Sequence, residues 1–137
     1  MKSFHFILAT PERKVMDCDV VQVTLPVVDG EITILADHIP YVGVLRSGEI
    51  RLVLAKDSKK EELALSSGFL EFGKNILTVL ADTAERAEEI DIERVEKAVA
   101  RAKEAKERKD LNEIEYATVA AQLEKELARL RVARKRR

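Results

Sequence analysis

The sequence predicts an α+β fold, in which an antiparallel β-sandwich or barrel is followed by an antiparallel hairpin of two helices. Two observations carry this prediction. All five glycines and all three prolines lie in the first 73 residues, where the apolar runs are short. The segment 85–137 is largely charged, with 15 basic and 13 acidic side chains. Short strands need turn residues, whereas a charged stretch without glycine or proline suits solvated helices. The predicted domains are residues 1–84 and 88–137.

The first domain divides into short apolar runs separated by turn residues. In chain order, the predicted strands are SFHFILA, VVQVTLP, EITIL, YVGVL, IRLVLA, EELALSS, GFLEFG and ILTVLAD. Most of these runs are rich in β-branched or aromatic residues, which favour strands. Pro11, the Asp29-Gly30 pair and the Lys74-Asn75 pair are turn signals between them. Many short strands at near-regular spacing are typical of an antiparallel sandwich or barrel.

The second domain is predicted to hold two helices, over residues 91–109 and 113–134. Asp91 is the predicted N-cap of the first helix, and Asn112 with Glu115 forms a capping box at the start of the second. The apolar stripe of the first helix is Ile92, Val95, Ala98, Val99, Ala102 and Ala105. The seam of the second helix is Tyr116, Ala120, Leu123, Leu127 and Leu130. Facing stripes predict an antiparallel hairpin, and its alanine-rich face is expected to dock on the sandwich only marginally.

The composition limits the classes of function. The net charge of −1 gives no general attraction to nucleic acid or to anionic lipid. Cys18 is the only cysteine, so an internal disulfide is excluded, and no Cys/His spacing indicates a metal or cofactor site. No apolar run approaches the length of a bilayer span, so membrane association is expected only through a partner.

Charged residues on the two predicted helices form the main candidate site. Arg94 and Arg101 lie seven residues apart on one helical face, and Asp91 precedes Arg94 by three. Lys125 and Arg129 are one turn apart on the second helix, so an antiparallel hairpin would bring them toward the same patch. Guanidinium groups match phosphate oxygens, and a carboxylate accepts hydrogen bonds from a base or a ribose. The alternative is that these residues form only a helix cap and a solvated surface.

Two other segments contain candidate functional residues. Asp37 and His38 are adjacent, and neighbouring side chains of an extended chain point to opposite faces, which makes a poor acid–base pair. A turn or contact-surface role for His38 is favoured. The basic segment RLRVARKRR has no aromatic residues to stack on bases, so an acidic protein surface is a better partner than RNA. A solvated tail is the alternative.

The stretch GEITILADHIPYVGVLRSGEIRL (residues 30–52) resembles the signature of the epsilon subunits of F-type ATP synthases. The matching positions are Gly30, Glu31, His38, Pro40 and Gly48. Residues 65–91 and the segment AQLEKELARLRVA resemble later parts of the same family, so the resemblance spans nearly the whole chain. Thr33 replaces a frequent glycine, and Ala36-Asp37 replaces the usual proline-glycine.

The resemblance implies a non-catalytic rotor subunit that couples proton flow to ATP synthesis. The sandwich is expected to bind the gamma subunit and the c-subunit ring, the latter through Glu31 and His38. The hairpin is expected to fold onto the sandwich or to extend toward the catalytic beta and alpha subunits and inhibit ATP hydrolysis. The basic face implied for that contact is Arg129, Arg131, Arg134, Arg136 and Arg137. Such a subunit is peripheral, on the cytoplasmic face of the cell membrane.

Some bacterial members of that family bind ATP on the folded hairpin through an Ile/Leu-Asp-x-x-Arg-Ala motif. IDIERV matches it at Ile90, Asp91 and Arg94, with Val95 in place of the alanine. The nucleotide-binding residues implied here are Glu85, Asp91, Arg94, Arg101, Lys125 and Arg129, with Lys125 where an arginine is usual. No cofactor is expected, and ATP is the candidate regulatory ligand. The alternatives are an adaptor of the same fold without nucleotide, and a small enzyme that uses Asp37 and His38.

Overall fold

The computed structural model describes residues 2–135 and shows a nine-stranded β-sandwich with two helices docked on it. The strands are β1 (Phe4–Ala9), β2 (Lys14–Val27), β3 (Gly30–Leu35), β4 (Tyr41–Leu45), β5 (Gly48–Leu54), β6 (Lys60–Leu65), β7 (Gly68–Gly73), β8 (Ile76–Ala81) and β9 (Ala84–Arg86). A 3-10 turn (Ala87–Glu89) leads to α1 (Ile92–Lys106), and α2 (Glu113–Lys135) follows. The predicted fold class is confirmed.

The long strand β2 belongs to both layers of the sandwich. Its first half pairs with β1, from Phe4 opposite Val20 to Ala9 opposite Lys14. Its second half pairs with β3 on one edge and with β5 on the other. One layer therefore continues from β1 through β8, β7 and β4, and the other holds β3, β5, β6 and β9. A single pair, Val27 opposite Leu45, joins β2 to β4 at the far end.

The core fills the space between these layers with aliphatic and aromatic side chains. Burial alternates along β1 and β5, which is the two-residue period of a strand with one face on the core. Phe4 and Phe72 pack edge to face with ring centroids 5.5 Å apart. The largest fully buried side chains include Phe6, Phe72, Leu8, Leu25, Ile34, Leu45, Ile50 and Leu52.

Three details of the sheet differ from the sequence expectations. β2 begins at Lys14 rather than Val20, since the polar residues of its first half face solvent while Val15 and Val20 are buried. The β1–β8 pair is parallel, so the sandwich is not wholly antiparallel. β9 was not predicted, because Ala84–Arg86 is short and half charged and becomes a strand only by pairing with β6. The predicted turn at Lys74 and Asn75 is present, with φ of 52° and 58°.

Both predicted helix caps are present. The Asp91 carboxylate accepts a hydrogen bond from the Arg94 backbone N–H at 3.3 Å. At the start of α2, Asn112 Oδ1 accepts from the Glu115 N–H at 2.8 Å, and Glu115 Oε1 accepts from the Asn112 N–H at 3.4 Å. The predicted end of the first helix is wrong, because α1 stops at Lys106. The charged residues that follow give no stop signal in the sequence.

The two helices form the predicted antiparallel hairpin. At one end Lys106 Nζ lies over the Tyr116 ring, 5.7 Å from its centroid, and at the other Arg134 lies 3.8 Å from Glu96. The predicted seam of α2 is only partly correct, because Tyr116 is 46% exposed. The second half of α2 is instead enclosed on several sides by α1 and the sandwich, which buries Leu123, Glu126, Ala128, Leu130, Val132 and Ala133.

The apolar cluster that joins the helices to the sandwich has only small side chains on the sandwich side, namely Ala64 of β6 and Ala87 of the 3-10 turn. From α2 the cluster contains Leu123, Leu130, Val132 and Ala133. Since the burial of each methylene-sized group contributes about 0.8 kcal/mol, the two alanines of the sandwich side contribute little. Polar contacts therefore have a large share in positioning the hairpin.

His5 of β1 lies between two carboxylates of β2. Its Nδ1 is 2.9 Å from Asp19 Oδ1, its Nε2 contacts the Asp17 carboxylate, and Lys14 Nζ lies 3.0 Å from Asp17 Oδ2. Hydrogen bonds to Asp19 and then Asp17 raise the pKa of His5 above its usual 6.5. The protonated imidazole therefore stabilises the β1–β2 pair.

We expect this stabilisation to be complete below about pH 6.5 and to be lost as the pH rises through the raised pKa of His5. Because the His5 side chain is 39% exposed, solvent screening limits the effect to at most about 1 kcal/mol. The measurement is urea unfolding of the wild type and of His5→Gln at pH 5.5 and 8.5. The difference between the two proteins should shrink at the higher pH, and an equal difference at both values would contradict the assignment.

Candidate functional site

A groove of about 580 Å³ lies between α1 and the middle of α2. Its lining is almost entirely polar and consists of Glu89, Asp91, Arg94, Lys97, Ala98, Arg101, Gln122, Glu126 and Arg129. Asp91 stands at its end because it caps α1, and the helical period places Arg94 and Arg101 on the face that follows. We call this the interhelical groove.

The structure brings four of the six predicted nucleotide-binding residues together in the interhelical groove: Asp91, Arg94, Arg101 and Arg129. The other two, Glu85 and Lys125, line a neighbouring depression between the sandwich and α2. Arg129 lines both. Helical spacing predicted that Lys125 and Arg129 both lie beside the arginines of α1. In the structure Arg129 does so, but Lys125 lies in the neighbouring depression.

Arg129 is the best-connected side chain at this site. Its Nε and Nη2 lie 2.7 Å and 3.0 Å from the two carboxylate oxygens of Glu85 on β9. Its Nη1 donates to Glu126 Oε2 at 2.8 Å. Burial opposes the charged form of the guanidinium, but the two carboxylates outweigh it and raise the pKa of Arg129. Arg129 therefore stays charged and ties α2 to the sandwich.

The cations on the α1 side of the interhelical groove differ from Arg129 in their exposure and in their ion pairing. Arg94, Lys97 and Arg101 are exposed, and within residues 2–135 the structure shows no ion pair to any of them. Three unpaired cations on one helical face provide donors for a multiply charged anion such as a polyphosphate. The arrangement thus suits phosphate oxygens along α1, while the α2 side is occupied by protein carboxylates.

A second surface, which the sequence argument missed, is apolar. On the outer face of β4, β7 and β8, Val42 is 75% exposed, Val44 47%, Phe69 62% and Leu80 54%. Phe69 stands directly opposite Val44 on one side and Leu80 on the other, so these side chains are contiguous. We call Val42, Val44, Phe69 and Leu80 the apolar face. Its signal was visible, because GFLEFG and ILTVLA place apolar residues on both faces of their strands.

The apolar face borders a depression of about 640 Å³, which reaches the end of β1 and residues 9–11. Gly68 lies in this depression, where an added Cβ would come within 2.0 Å of the Leu80 carbonyl oxygen. Only glycine therefore allows β7 and β8 to approach this closely. Exposed contiguous apolar surface of this kind is typical of a protein–protein interface.

The loop that carries His38 is held by a reciprocal pair of hydrogen bonds. Asp37 has a φ of 66°, and its N–H donates to Asn75 Oδ1 at 2.7 Å, while Asn75 Nδ2 donates to Asp37 Oδ1 at 2.9 Å. Lys2 also contacts the Asp37 carboxylate, and Lys2 and Asn75 lower its pKa. The imidazole of His38 packs edge-on to the rings of Phe72 and Tyr41 and donates from Nδ1 to the Ile39 carbonyl oxygen at 2.7 Å.

These contacts bear on two predictions. Asp37 and His38 have separate partners and do not form an acid–base pair, so the small-enzyme alternative has no geometric support. Glu31 and His38, expected to share a contact surface, stand at opposite ends of β3. Glu31 forms an ion pair with Arg51 at 3.2 Å.

The predicted basic face divides when α2 is docked. Arg129 is turned toward Glu85, whereas Arg131 and Arg134 are exposed. Arg136 and Arg137 lie outside the described residues. Lys135, which was not predicted, lies 3.3 Å from both Glu49 of β5 and Glu62 of β6, and these contacts extend the attachment of α2 to the sandwich.

The fold and these surfaces together define a two-part binding protein. One part is a β-sandwich with an exposed apolar face, and the other is the docked hairpin of α1 and α2, here called the helical arm, which carries the charged interhelical groove. Within residues 2–135 there is no cluster of three or more potential metal ligands. The same residues contain no helix long and apolar enough to cross a bilayer.

Comparison with known proteins identifies the family. The profile described as "ATP synthase, Delta/Epsilon chain, beta-sandwich domain" matches residues 3–87, and "ATP synthase, Delta/Epsilon chain, long alpha-helix domain" matches residues 88–134. The ATP synthase epsilon chain of Chloroflexus aggregans is 42% identical over 129 residues, 94% of this chain and 91% of that one. That of Nitratidesulfovibrio vulgaris is 38% identical over 131 residues, 96% of each chain. The chain therefore belongs to the delta/epsilon family of ATP synthases, and its curated relatives are epsilon chains.

Two solved structures share the fold. A chain of the Euglena gracilis mitochondrial ATP synthase (OSCP/F1/c-ring) superposes with a TM-score of 0.77 at 22% identity, covering 89% of this chain and 76% of that one. A chain of the Tetrahymena thermophila mitochondrial ATP synthase central stalk and c-ring gives 0.61 at 15% identity, covering 98% and 96%. The predicted family is confirmed, and so is the prediction that the chain is not itself an enzyme, since epsilon is a non-catalytic subunit.

The Asp37–Asn75 contact generates a stability prediction. Asp37→Val should lower the melting temperature by about 4 °C or more, because a β-branched residue is strained at positive φ and the bond to Asn75 is lost. The matched control is Asp37→Gly, which loses the same bond but adopts positive φ without strain. Thermal unfolding followed by circular dichroism compares the two variants. Equal losses would show that the φ of 66° is not a constraint.

Proposed function

We propose that the chain is the central-stalk (rotor) subunit of a proton-translocating F-type ATP synthase, in which it couples rotation to ATP synthesis and restrains ATP hydrolysis. The single observation that carries this proposal is family membership along the whole chain, through both the sandwich and the helices. In this proposal residues 1–84 form the platform that binds other rotor subunits, and residues 88–137 form a regulatory arm that undocks.

The apolar face is the proposed contact for the gamma subunit of the shaft. Its four side chains are contiguous and half to three-quarters exposed, and burial of such side chains drives association. The c-subunit ring is proposed to meet two sites at opposite ends of β3, which are Glu31 near its start and the His38 loop after its end. The chain would thus associate with the cytoplasmic face of the cell membrane only through the complex, as a peripheral subunit.

The proposed gamma contact predicts that one charge introduced into the apolar face weakens binding to gamma. Phe69→Asp should weaken binding of the purified chain to gamma by tenfold or more, because a carboxylate in a desolvated aromatic contact has no partner. Ile114→Asp is the matched control, since Ile114 is 79% exposed on α2, away from the apolar face. Co-purification and surface plasmon resonance give the affinities. Equal losses in both variants would place the gamma contact elsewhere.

Restraint of hydrolysis is proposed to come from the extended arm. When α2 leaves the sandwich, Arg129 loses Glu85 and Lys135 loses Glu49 and Glu62. Both cations then join Arg131, Arg134 and the terminal arginines in a basic surface. An acidic region of the catalytic beta and alpha subunits is the complementary partner, and pairing of opposite potentials favours that contact.

This proposal predicts that truncation after residue 88 raises the ATPase rate of the assembled F1 complex several-fold while gamma binding is retained. In the full-length chain, Arg131→Gln with Arg134→Gln should give a smaller increase in the same direction, since two of the basic groups are lost. Lys103→Gln with Lys109→Gln is the control, because both lysines are exposed near the other end of the hairpin. An unchanged rate after truncation would refute the inhibitory role for this member of the family.

ATP is the proposed regulatory ligand of the interhelical groove. The supporting observation is the set of unpaired cations Arg94, Lys97 and Arg101 beside Asp91. The triphosphate would lie along α1, and Asp91 would accept from the base or the ribose. A ligand that binds only the docked arm stabilises it by about 2.7 kcal/mol at a hundredfold excess over Kd, so ATP would act as a signal rather than a substrate.

Calorimetry with ATP on the isolated chain tests this ligand. Arg94→Ala with Arg101→Ala should weaken binding at least tenfold, because two phosphate donors are removed. Arg131→Ala, an exposed arginine outside the groove, should leave the binding constant unchanged. If the wild type shows no heat of binding, the adaptor alternative without nucleotide is correct.

A further inference from the structure

Glu126 is a buried carboxylate in the wall of the interhelical groove. It is 4% exposed, and among the charged side chains of residues 2–135 it alone is classed as buried. It projects from α2 one turn before Arg129 and lines the groove that also contains Arg94 and Arg101. A carboxylate in this position opposes the binding of a phosphate, so its presence calls for an explanation.

The Glu126 carboxylate is fully engaged within the protein. Its Oε1 accepts from Gln122 Nε2 at 2.7 Å, and its Oε2 accepts from Arg129 Nη1 at 2.8 Å. The other edge of the Arg129 guanidinium is occupied by Glu85, with Nε and Nη2 at 2.7 Å and 3.0 Å. Arg129 is thus held between a carboxylate of the sandwich and a carboxylate of its own helix. Charge-assisted bonds of this kind are about twice as strong as neutral ones.

This arrangement fills the position that an anionic ligand would take at Arg129. A phosphate that approached Arg129 from the groove would have to displace Glu126 or lie against it, and two like charges at contact distance destabilise each other. Displacement would also leave Glu126 buried without its cation, which is strongly unfavourable. The α1 cations Arg94 and Arg101 carry no such protein counter-ion in the described part of the chain, so the obstacle is confined to the α2 side.

We propose that Glu126 is a built-in counter-ion for Arg129, which keeps the helical arm docked in the absence of nucleotide and sets a low affinity of the groove for polyphosphates. With Glu126 in place, Arg129 is charge-compensated and oriented toward Glu85, so the bond between α2 and β9 forms without any ligand. The proposal that Glu126 keeps the arm docked is independent of the proposed function. The proposal that Glu126 lowers the affinity of the groove rests on ATP as the ligand.

The test uses the full-length chain and two measurements. Hydrogen exchange by mass spectrometry reports opening of α2 over residues 123–135, and calorimetry reports the affinity for ATP. In the wild type we expect slow exchange already without ATP, and a further slowing with ATP that grows as 1 + [ATP]/Kd and so stays below twofold until the ATP concentration reaches Kd. Glu126→Gln keeps the shape and the bond to Gln122 but removes the charge. It should exchange about tenfold faster without ATP, regain protection with ATP, and bind ATP about tenfold more tightly.

Two variants make the comparison specific. Glu85→Gln weakens the bond to the sandwich but leaves Glu126 in the groove, so exchange should quicken while the affinity for ATP does not rise. Glu104→Gln removes an exposed carboxylate of α1 that has no side-chain partner in the described part of the chain, and it should match the wild type in both measurements. Glu85→Gln also tests the docking independently if Glu126→Gln fails to fold.

The outcomes separate this inference from the proposed function. If Glu126→Gln and Glu104→Gln behave alike, or if α2 of the wild type is protected only with ATP, the counter-ion role is wrong. Unchanged exchange in Glu85→Gln would equally overturn it. If no variant binds ATP while Glu126→Gln still exchanges faster, nucleotide regulation fails and the docking role of Glu126 stands.

Discussion

The position of the helical arm depends on the contact of Arg129 with Glu85 and Glu126. On the sandwich side, the apolar cluster beneath the helices consists of Ala64 and Ala87, so the burial of these side chains contributes modestly to fixing the position of α2. The Arg129 guanidinium has a carboxylate on each edge in this placement of α2, and its Nη1 and Nη2 donate one hydrogen bond to each. The ion pairs of Lys135 with Glu49 and Glu62 strengthen the same placement near the end of α2. The position of α2 therefore depends on ion pairs as well as on apolar packing.

Much of the fold could be predicted from sequence because the signals are local. The two-residue turn at Lys74 and Asn75, the cap at Asp91 and the capping box at Asn112 follow from short-range chemistry, and each is present. The errors lie where long-range contacts decide. Ala84–Arg86 is a strand only because β6 lies beside it, and the parallel β1–β8 pairing joins distant segments. The end of α1 was misplaced because its last charged residues suit a helix and a loop equally well.

At the candidate site, too, features set by local spacing were predicted and features set by long-range burial were not. Helical spacing correctly placed Asp91, Arg94 and Arg101 on one face, and the antiparallel hairpin correctly brought Arg129 to the same groove. The family resemblance added Glu85. Neither identified Glu126, because on a helix of alternating charges a glutamate is usually solvated, and only the enclosure of α2 by α1 and the sandwich buries it. For the same reason, the spacing did not show that Lys125 lies in the depression beside Glu85 rather than in the interhelical groove. Which face of α2 is buried depends on how it docks, and the sequence pattern of the helix alone does not state this.

The shared strand β2 has a mechanical consequence for the platform. Because one continuous backbone forms ladder bonds in both layers, and both layers enclose one core, loss of pairing in one layer exposes the core that stabilises the other. The sandwich should therefore yield as a single cooperative block, with fraying confined to short margins such as β9. In the proposed rotor role, load applied at one layer would reach the other through the covalent backbone of β2 as well as through side-chain packing.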